Sequence, residues 1–190
     1  MQIKATRPHQ AKGLTHDFLN RFRNTQSKTA IGLRNRAMLS IGYELLALRS
    51  ELAALRSDDL EERTDGTFRV LIHRSKSEQY RAGRIAFTSK RTVDLPRAWL
   101  DVRELEIDWL FCPVYHVKPI DRGLSTSTVR WVVKQAAKRA CLDRADINAF
   151  SRHSMHVVAA QDLLKQGFDS AAIMRAGGWK SVRKRAGQVS

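Results

Sequence analysis

The sequence predicts a mainly α domain with a small antiparallel β-sheet, an α+β architecture, and three observations carry that expectation. Apolar residues recur at helical spacing over much of the chain, as at Leu33, Ala37, Met38, Ile41 and Leu45. The period changes between residues 67 and 95, where Phe68-Arg69-Val70-Leu71-Ile72-His73 is strand-like behind the turn dipeptide Asp65-Gly66. With 190 residues, 43% of them hydrophobic, the chain can bury one sizeable core.

Residues 1–14 are polar and basic, with Pro8 and Gly13, and suit a linker. Thr15 is a plausible N-cap for a short helix to about Arg23 that buries Phe18, Leu19 and Phe22. A buried helix is expected over roughly 31–47, with Tyr43 in its core face. Ser50-Glu51 opens another, shorter helix carrying Leu52 and Leu55. Beyond the strand at 68–73, further strand is expected at Arg84-Ile85-Ala86-Phe87-Thr88 and at Thr92-Val93-Asp94-Leu95. Pro96 then opens a helix with Trp99, Leu100 and Leu105, because proline suits a first helical position. Trp109-Leu110-Phe111-Cys112 reads as a short apolar element ending at Pro113, followed by a loop with Pro119 and Gly123.

Leu124-Ser125-Thr126-Ser127 caps a helix through about Cys141. Its pattern places Trp131, Val132 and Ala136 inward and Arg130, Lys134, Lys138 and Arg139 outward. Two more helices are expected within 151–178, with Gly167 in the turn and Asp169 capping the second. They fit either packed core helices or a helix-turn-helix.

Charge narrows the function. The balance of 34 Lys+Arg against 19 Asp+Glu, net +15, predicts a polyanionic partner, and nucleic acid is the commonest. More than half of that excess lies in residues 121–190. Cys112 and Cys141 are far apart and show neither a disulfide framework nor a zinc-ligand spacing, in keeping with a reducing cytoplasm. The start has no apolar signal region and no later run could span a bilayer, so a soluble cytoplasmic protein without a membrane partner is expected.

Two stretches carry more than composition. One is Ser151-Arg152-His153-Ser154-Met155-His156 with Ile173-Met174-Arg175-Ala176-Gly177-Gly178-Trp179; the other is Leu48-Arg49-Ser50-Glu51-Leu52-Ala53-Ala54-Leu55. Together they resemble the catalytic core of the tyrosine recombinase (phage integrase) family, and its Cre-like branch in particular, over roughly residues 12–181. The resemblance implies the fold of DNA breaking-rejoining enzymes and DNA recombination and integration by phosphotyrosine strand transfer. It also implies double-stranded DNA as partner and a homo-oligomer on that DNA. No cofactor, metal or small-molecule substrate is implied, because the phosphotyrosine bond conserves the energy of the cut. Residues 15–181 would be the catalytic domain, 1–14 a linker remnant and 182–190 an atypical basic tail, with the N-terminal core-binding domain absent.

Residue by residue, the match is incomplete. In the family's His-x-x-Arg the histidine is met by His153 but the arginine is replaced by His156; its Gly-Gly-Trp is met at Trp179, and the tyrosine nine residues later is replaced by Gln188. The first catalytic arginine, three residues before Glu51, is replaced by Leu48. Arg49 follows at once, yet one residue turns a helical side chain by roughly 100°. It is therefore either a DNA-backbone cation or a substitute. Lys76, in Arg74-Ser75-Lys76, matches the hairpin lysine that protonates the leaving 5′-oxygen. By spacing alone it is a solvated lysine with Arg81 and Arg84 nearby. His153 and His156 form no metal site without a third ligand. Tyr43, Tyr80 and Tyr115 lack the nucleophile's spacing. Expected DNA contacts are Arg74, Arg130, Lys134, Lys138, Arg152 and Lys180. With the tyrosine and both arginine positions substituted, impaired catalysis is expected. A non-catalytic DNA-binding regulator, or a decayed mobile-element remnant, is the alternative.

Overall fold

The computed structural model describes residues 20, 21, 23–73, 83–90, 92–141, 144, 147, 159–160, 163–165 and 167–178. At its centre is α1 (Ala30–Glu44), capped by Thr29, whose hydroxyl accepts from the Gly32 N–H at 3.3 Å. Gly32, Asn35, Ala37, Met38, Leu39, Ser40, Ile41 and Tyr43 are all buried, so this helix is enclosed on nearly every side. It ends in a Schellman turn: the Leu46 N–H donates to Tyr43 O and the Ala47 N–H to Gly42 O. Leu46 occupies the left-handed position at φ 50°, which glycine normally takes. That conformation costs about 1–2 kcal/mol, and the full burial of the Leu46 side chain offsets it.

The turn delivers the chain into α2 (Arg49–Ala54) with Leu48 at the N-cap. Leu48 has no polar side chain, so half of a capping box stands alone, the Glu51 carboxylate accepting from the Leu48 N–H at 2.7 Å. A 3₁₀ turn at Ser57–Asp59 repeats the device, Asp59 accepting from the Arg56 N–H at 2.8 Å.

Three antiparallel strands follow in the order β1-β2-β3: β1 (Leu60–Glu62), β2 (Phe68–Ile72) and β3 (Arg84–Phe87). In β2 the residues Phe68, Val70 and Ile72 face the core, the alternation that the sequence predicts. Gly66, at φ 80°, turns β1 into β2 as Asp65-Gly66 signalled. β1 was not anticipated; its Leu-Glu-Glu has no apolar alternation, and pairing with β2 makes it a strand.

Residues 92–95 are not the expected strand. Thr92 and Val93 are in a turn, and α3 (Asp94–Leu100) has already begun before Pro96. Pro96 sits within the first turn, where its missing N–H is not needed and its fixed φ favours the helix. Trp99 is fully buried and its indole N–H donates to Leu110 O at 2.7 Å. Leu105, expected on that helix's buried face, lies past its end and is 89% exposed. The 109–112 stretch is buried at Leu110, Phe111 and Cys112, and Leu110 N–H bonds to Leu55 O. Where a loop was expected, β4 (Val114–Tyr115) and β5 (Lys118–Pro119) form a short hairpin through His116 and Val117, both at positive φ.

α4 (Thr126–Arg139) starts as predicted, Ser125 Oγ accepting from the Thr128 N–H at 3.0 Å. Val129, Val132, Val133, Ala136 and Ala137 are buried. Trp131, expected inward, is instead 54% exposed. At 100° per residue it lies on the far side from the valine and alanine stripe. α5 (Ser170–Gly177) is capped by Asp169, whose carboxylate accepts from the Ala172 N–H at 3.0 Å, and Gly167 turns at φ 86°. Ile173, Ala159 and Ala160 belong to the common core, so these segments pack inward as core helices. Thr15, Phe18, Leu19 and Phe22 lie outside the described residues.

Trp99→Phe removes the only indole bond to Leu110 O among the described interactions and opens a small void. It should destabilise the fold by about 1–3 kcal/mol, read as a lower urea midpoint at unchanged slope.

Candidate nucleic-acid interface and catalytic cradle

The left-handed turn at Leu46 fixes where the next residues go. Leu48 and Arg49 are both half-buried at the N-terminus of α2. Glu51, one turn on, is drawn back over that terminus by its bond to the Leu48 N–H. Its Oε2 lies 3.4 Å from Nη2 of Arg84, the first residue of β3, and both side chains are about nine-tenths buried, Arg84 at 10% exposure and Glu51 at 9%. The Arg84 guanidinium reaches two further groups, donating to Ala176 O at 2.8 Å and to Leu46 O at 3.4 Å. A single side chain thus ties the strained turn, the N-terminus of α2, the edge of the sheet and the last turn of α5. Beyond Ala176 the chain passes through Gly178 in the left-handed conformation, at φ 65°, which lets α5 stop there.

Arg84 is the residue that sequence reasoning missed. It had been grouped with the solvated cations around Lys76, but its charge is folded against Glu51. The sequence signal, an arginine opening a strand, is too common to single it out. Its pairing opposite Ile72 is what points it here.

At the same end of β2, just past Ile72, His73 Nε2 lies 2.6 Å from Asp59 Oδ1, which pins the foot of the β2–β3 connection to the 3₁₀ turn. The connection leaves the sheet between Ile72 and Arg84, which are directly paired. Lys76 and Arg74 lie on it, outside the described residues, as do Arg152, His153, His156, Trp179, Lys180 and Gln188. The structure therefore places Leu48 and Arg49 together at one cradle and speaks to none of those eight.

The expected DNA-binding cations on α4 are described. Arg130 and Lys138 are exposed and Lys134 half-exposed, all three on the face opposite the buried valines. Deeper in, Arg34 is buried with its guanidinium donating to Cys112 O at 3.1 Å and to Asn35 Oδ1 at 2.8 Å. Burial lowers its pKa, and burial likewise pushes the Cys112 thiol up, so neither is a reactive surface group. Among the described residues no three His, Cys, Asp or Glu side chains could hold a metal ion, and no helix is long and apolar enough to cross a membrane.

Removing Arg84 should expose how much the cradle depends on it. Arg84→Met leaves the Glu51 carboxylate buried without its cation, at a cost of about 2–4 kcal/mol. Adding Glu51→Gln should recover more than half of the loss, giving a coupling of about 1–3 kcal/mol in a double-mutant cycle read by urea denaturation.

Residues 12–185 match the model of the phage integrase family. Over 164 residues the chain is 33% identical to the recombinase Cre of Escherichia phage P1, covering 79% of this chain and 47% of that protein. Over 159 residues it is 28% identical to an integrase/recombinase XerD homologue of Selenomonas ruminantium, covering 80% and 46%. The chain spans about half the length of these curated relatives. The crystal structure of XerA recombinase superposes with a TM-score of 0.69 at 20% identity, over 96% of this chain and 60% of that one. XerH recombinase bound to a palindromic difH substrate, in a post-cleavage complex, gives 0.70 at 18% identity, over 97% and 51%. The chain belongs to the phage integrase family of site-specific recombinases and has the fold of that family's Cre-like catalytic domain.

Proposed function

We propose that this chain binds duplex DNA as the catalytic-domain portion of a site-specific recombinase, and that its own strand cleavage is impaired. The observation that carries the reading is the pairing of a basic, outward α4 face with a leucine at the cradle position that the family gives to an arginine. Support for the DNA partner comes from the net charge of +15, the family match and relatives bound to DNA substrate in their crystal structures. Arg130, Lys134 and Lys138 repeat at four-residue spacing, so they lie along one stripe of α4 and can follow a phosphate backbone. Arg74, Arg152 and Lys180 would extend that contact, and a homo-oligomer would form on the DNA.

Phosphotyrosine transfer needs a nucleophile, charge stabilisation on the phosphorane and a proton for the leaving oxygen. Guanidinium groups suit the second task because two parallel N–H bonds can reach the nonbridging oxygens. Leu48 has none to give, and Arg49 is one residue on, the first residue of α2 where Leu48 is the N-cap, so it does not occupy the same place. His156, as an imidazole, has no pair of parallel N–H donors to match a guanidinium. Gln188 cannot attack phosphorus. Lys76, His153 and Trp179 are the retained positions, with Lys76 as the proton donor. Each missing donor costs roughly 10²–10³-fold in rate, and the missing tyrosine removes the reaction itself. A non-catalytic regulator that occupies recombination sites, or a decayed remnant, would share this chemistry.

Fluorescence anisotropy with a mixed-sequence duplex across a salt series tests the binding. Affinity should fall steeply with salt. Arg130→Ala, Lys134→Ala and Lys138→Ala together should flatten the log–log slope by about 2–3, since each phosphate left unneutralised lowers it by roughly 0.9. On a denaturing gel no protein–DNA adduct should form. A covalent adduct would overturn the reading of Gln188, and salt-independent binding would overturn that of α4. Leu48→Arg, His156→Arg and Gln188→Tyr together are the minimum for restoring cleavage.

A further inference from the structure

Between the start of α1 and the outward side of α4 the surface opens into a cavity of about 190 Å³. It is lined by Trp131, Ile31 and Arg139 and by the amides of Gln26 and Asn35. The two amides are buried, and Asn35 Nδ2 donates to Gln26 Oε1 at 3.1 Å, so the polar wall is fixed in place. Trp131 is more than half exposed, an indole held at the middle of a basic helix face where packing has no use for it. Arg139 lies about two turns further along α4 and lines the same cavity. The first turn of α1, which forms the opposite lip, carries no acidic residue to repel an anion.

Size and chemistry select the occupant. A cavity of roughly 150 Å³ holds a benzene ring, so this one admits a single ring system and excludes a base pair or a peptide helix. An aromatic wall offers stacking and a guanidinium offers a place for phosphate. The amides, bonded to each other and to Thr25 and Arg34, give the cavity a polar edge. An apolar partner would leave the amide wall unused, and an acidic peptide would leave the indole unused. We propose that this cavity takes one unstacked nucleobase of a DNA strand, the base against the Trp131 ring and its phosphate on Arg139. The inference rests on the DNA-binding reading above and adds to it a site for a base outside the duplex. The site tolerates any base, because every base presents a π-face.

Two labelled probes separate this site from the duplex contacts: a blunt duplex, and the same duplex with a short single-stranded thymine tail. The wild-type chain should bind the tailed probe more tightly. Trp131→Ala should remove that advantage, weakening the tailed probe by roughly five- to a hundred-fold while leaving the blunt duplex unchanged. Trp131→Phe should keep most of it, and Arg139→Gln should lower the salt slope on the tailed probe alone. Equal binding of both probes by the wild-type chain overturns the proposal. So does equal weakening of both by Trp131→Ala when Trp131→Phe restores both equally, since that would make the indole a groove contact. Failure of the wild-type chain to bind either probe would instead overturn the DNA-binding reading on which the site depends.

Discussion

The cradle depends on one buried charge pair. Glu51 holds the start of α2 by its bond to the Leu48 N–H, and Arg84 holds Glu51 while reaching Leu46 O and Ala176 O. Three of these four contacts, those made by Arg84, join segments that are far apart in the chain. A pair so poorly solvated adds little net stability, since desolvation offsets most of the Coulombic gain. Its value is geometric. The guanidinium can satisfy three acceptors only when the left-handed turn, the strand edge and the end of α5 all sit in one arrangement.

That arrangement bears on the proposed loss of chemistry. The strained turn at Leu46 and the half-capping box at Glu51 together fix the backbone at position 48, where the Leu48 side chain offers no donor. The basic face of α4 is held by a separate part of the core, through Val129, Val132, Val133 and Ala136. The two proposed surfaces, the α4 face and the cradle, therefore rest on different supports, and a change in one need not disturb the other.

Much of the architecture was legible because local rules and burial agreed. Ser125 and Asp169 cap helices with side-chain oxygens on N–H groups, and Phe68, Val70 and Ile72 alternate as a half-buried strand must. The sequence misled where two patterns competed. Thr92-Val93-Asp94-Leu95 has strand-like residues, but the turn at Thr92 and the proline two residues past Asp94 favour a helix start. Trp131 was placed inward with Val132 and Ala136, although its angle around α4 places it outward. His116 and Val117 take positive φ in the β4–β5 turn without the asparagine or glycine that normally signals one.

What the sequence by itself determined was the set of helices and strands with strong periodicity, the positive charge, and the motifs that carry the family resemblance. These depend on residues close together in the chain. Only the tertiary structure decided that Arg84 is folded onto Glu51 and Ala176 O, that Leu60–Glu62 is a strand, and that Trp131 borders a polar cavity. Each of these is settled by a partner from a distant segment, and a local pattern carries no information about which distant segment will arrive.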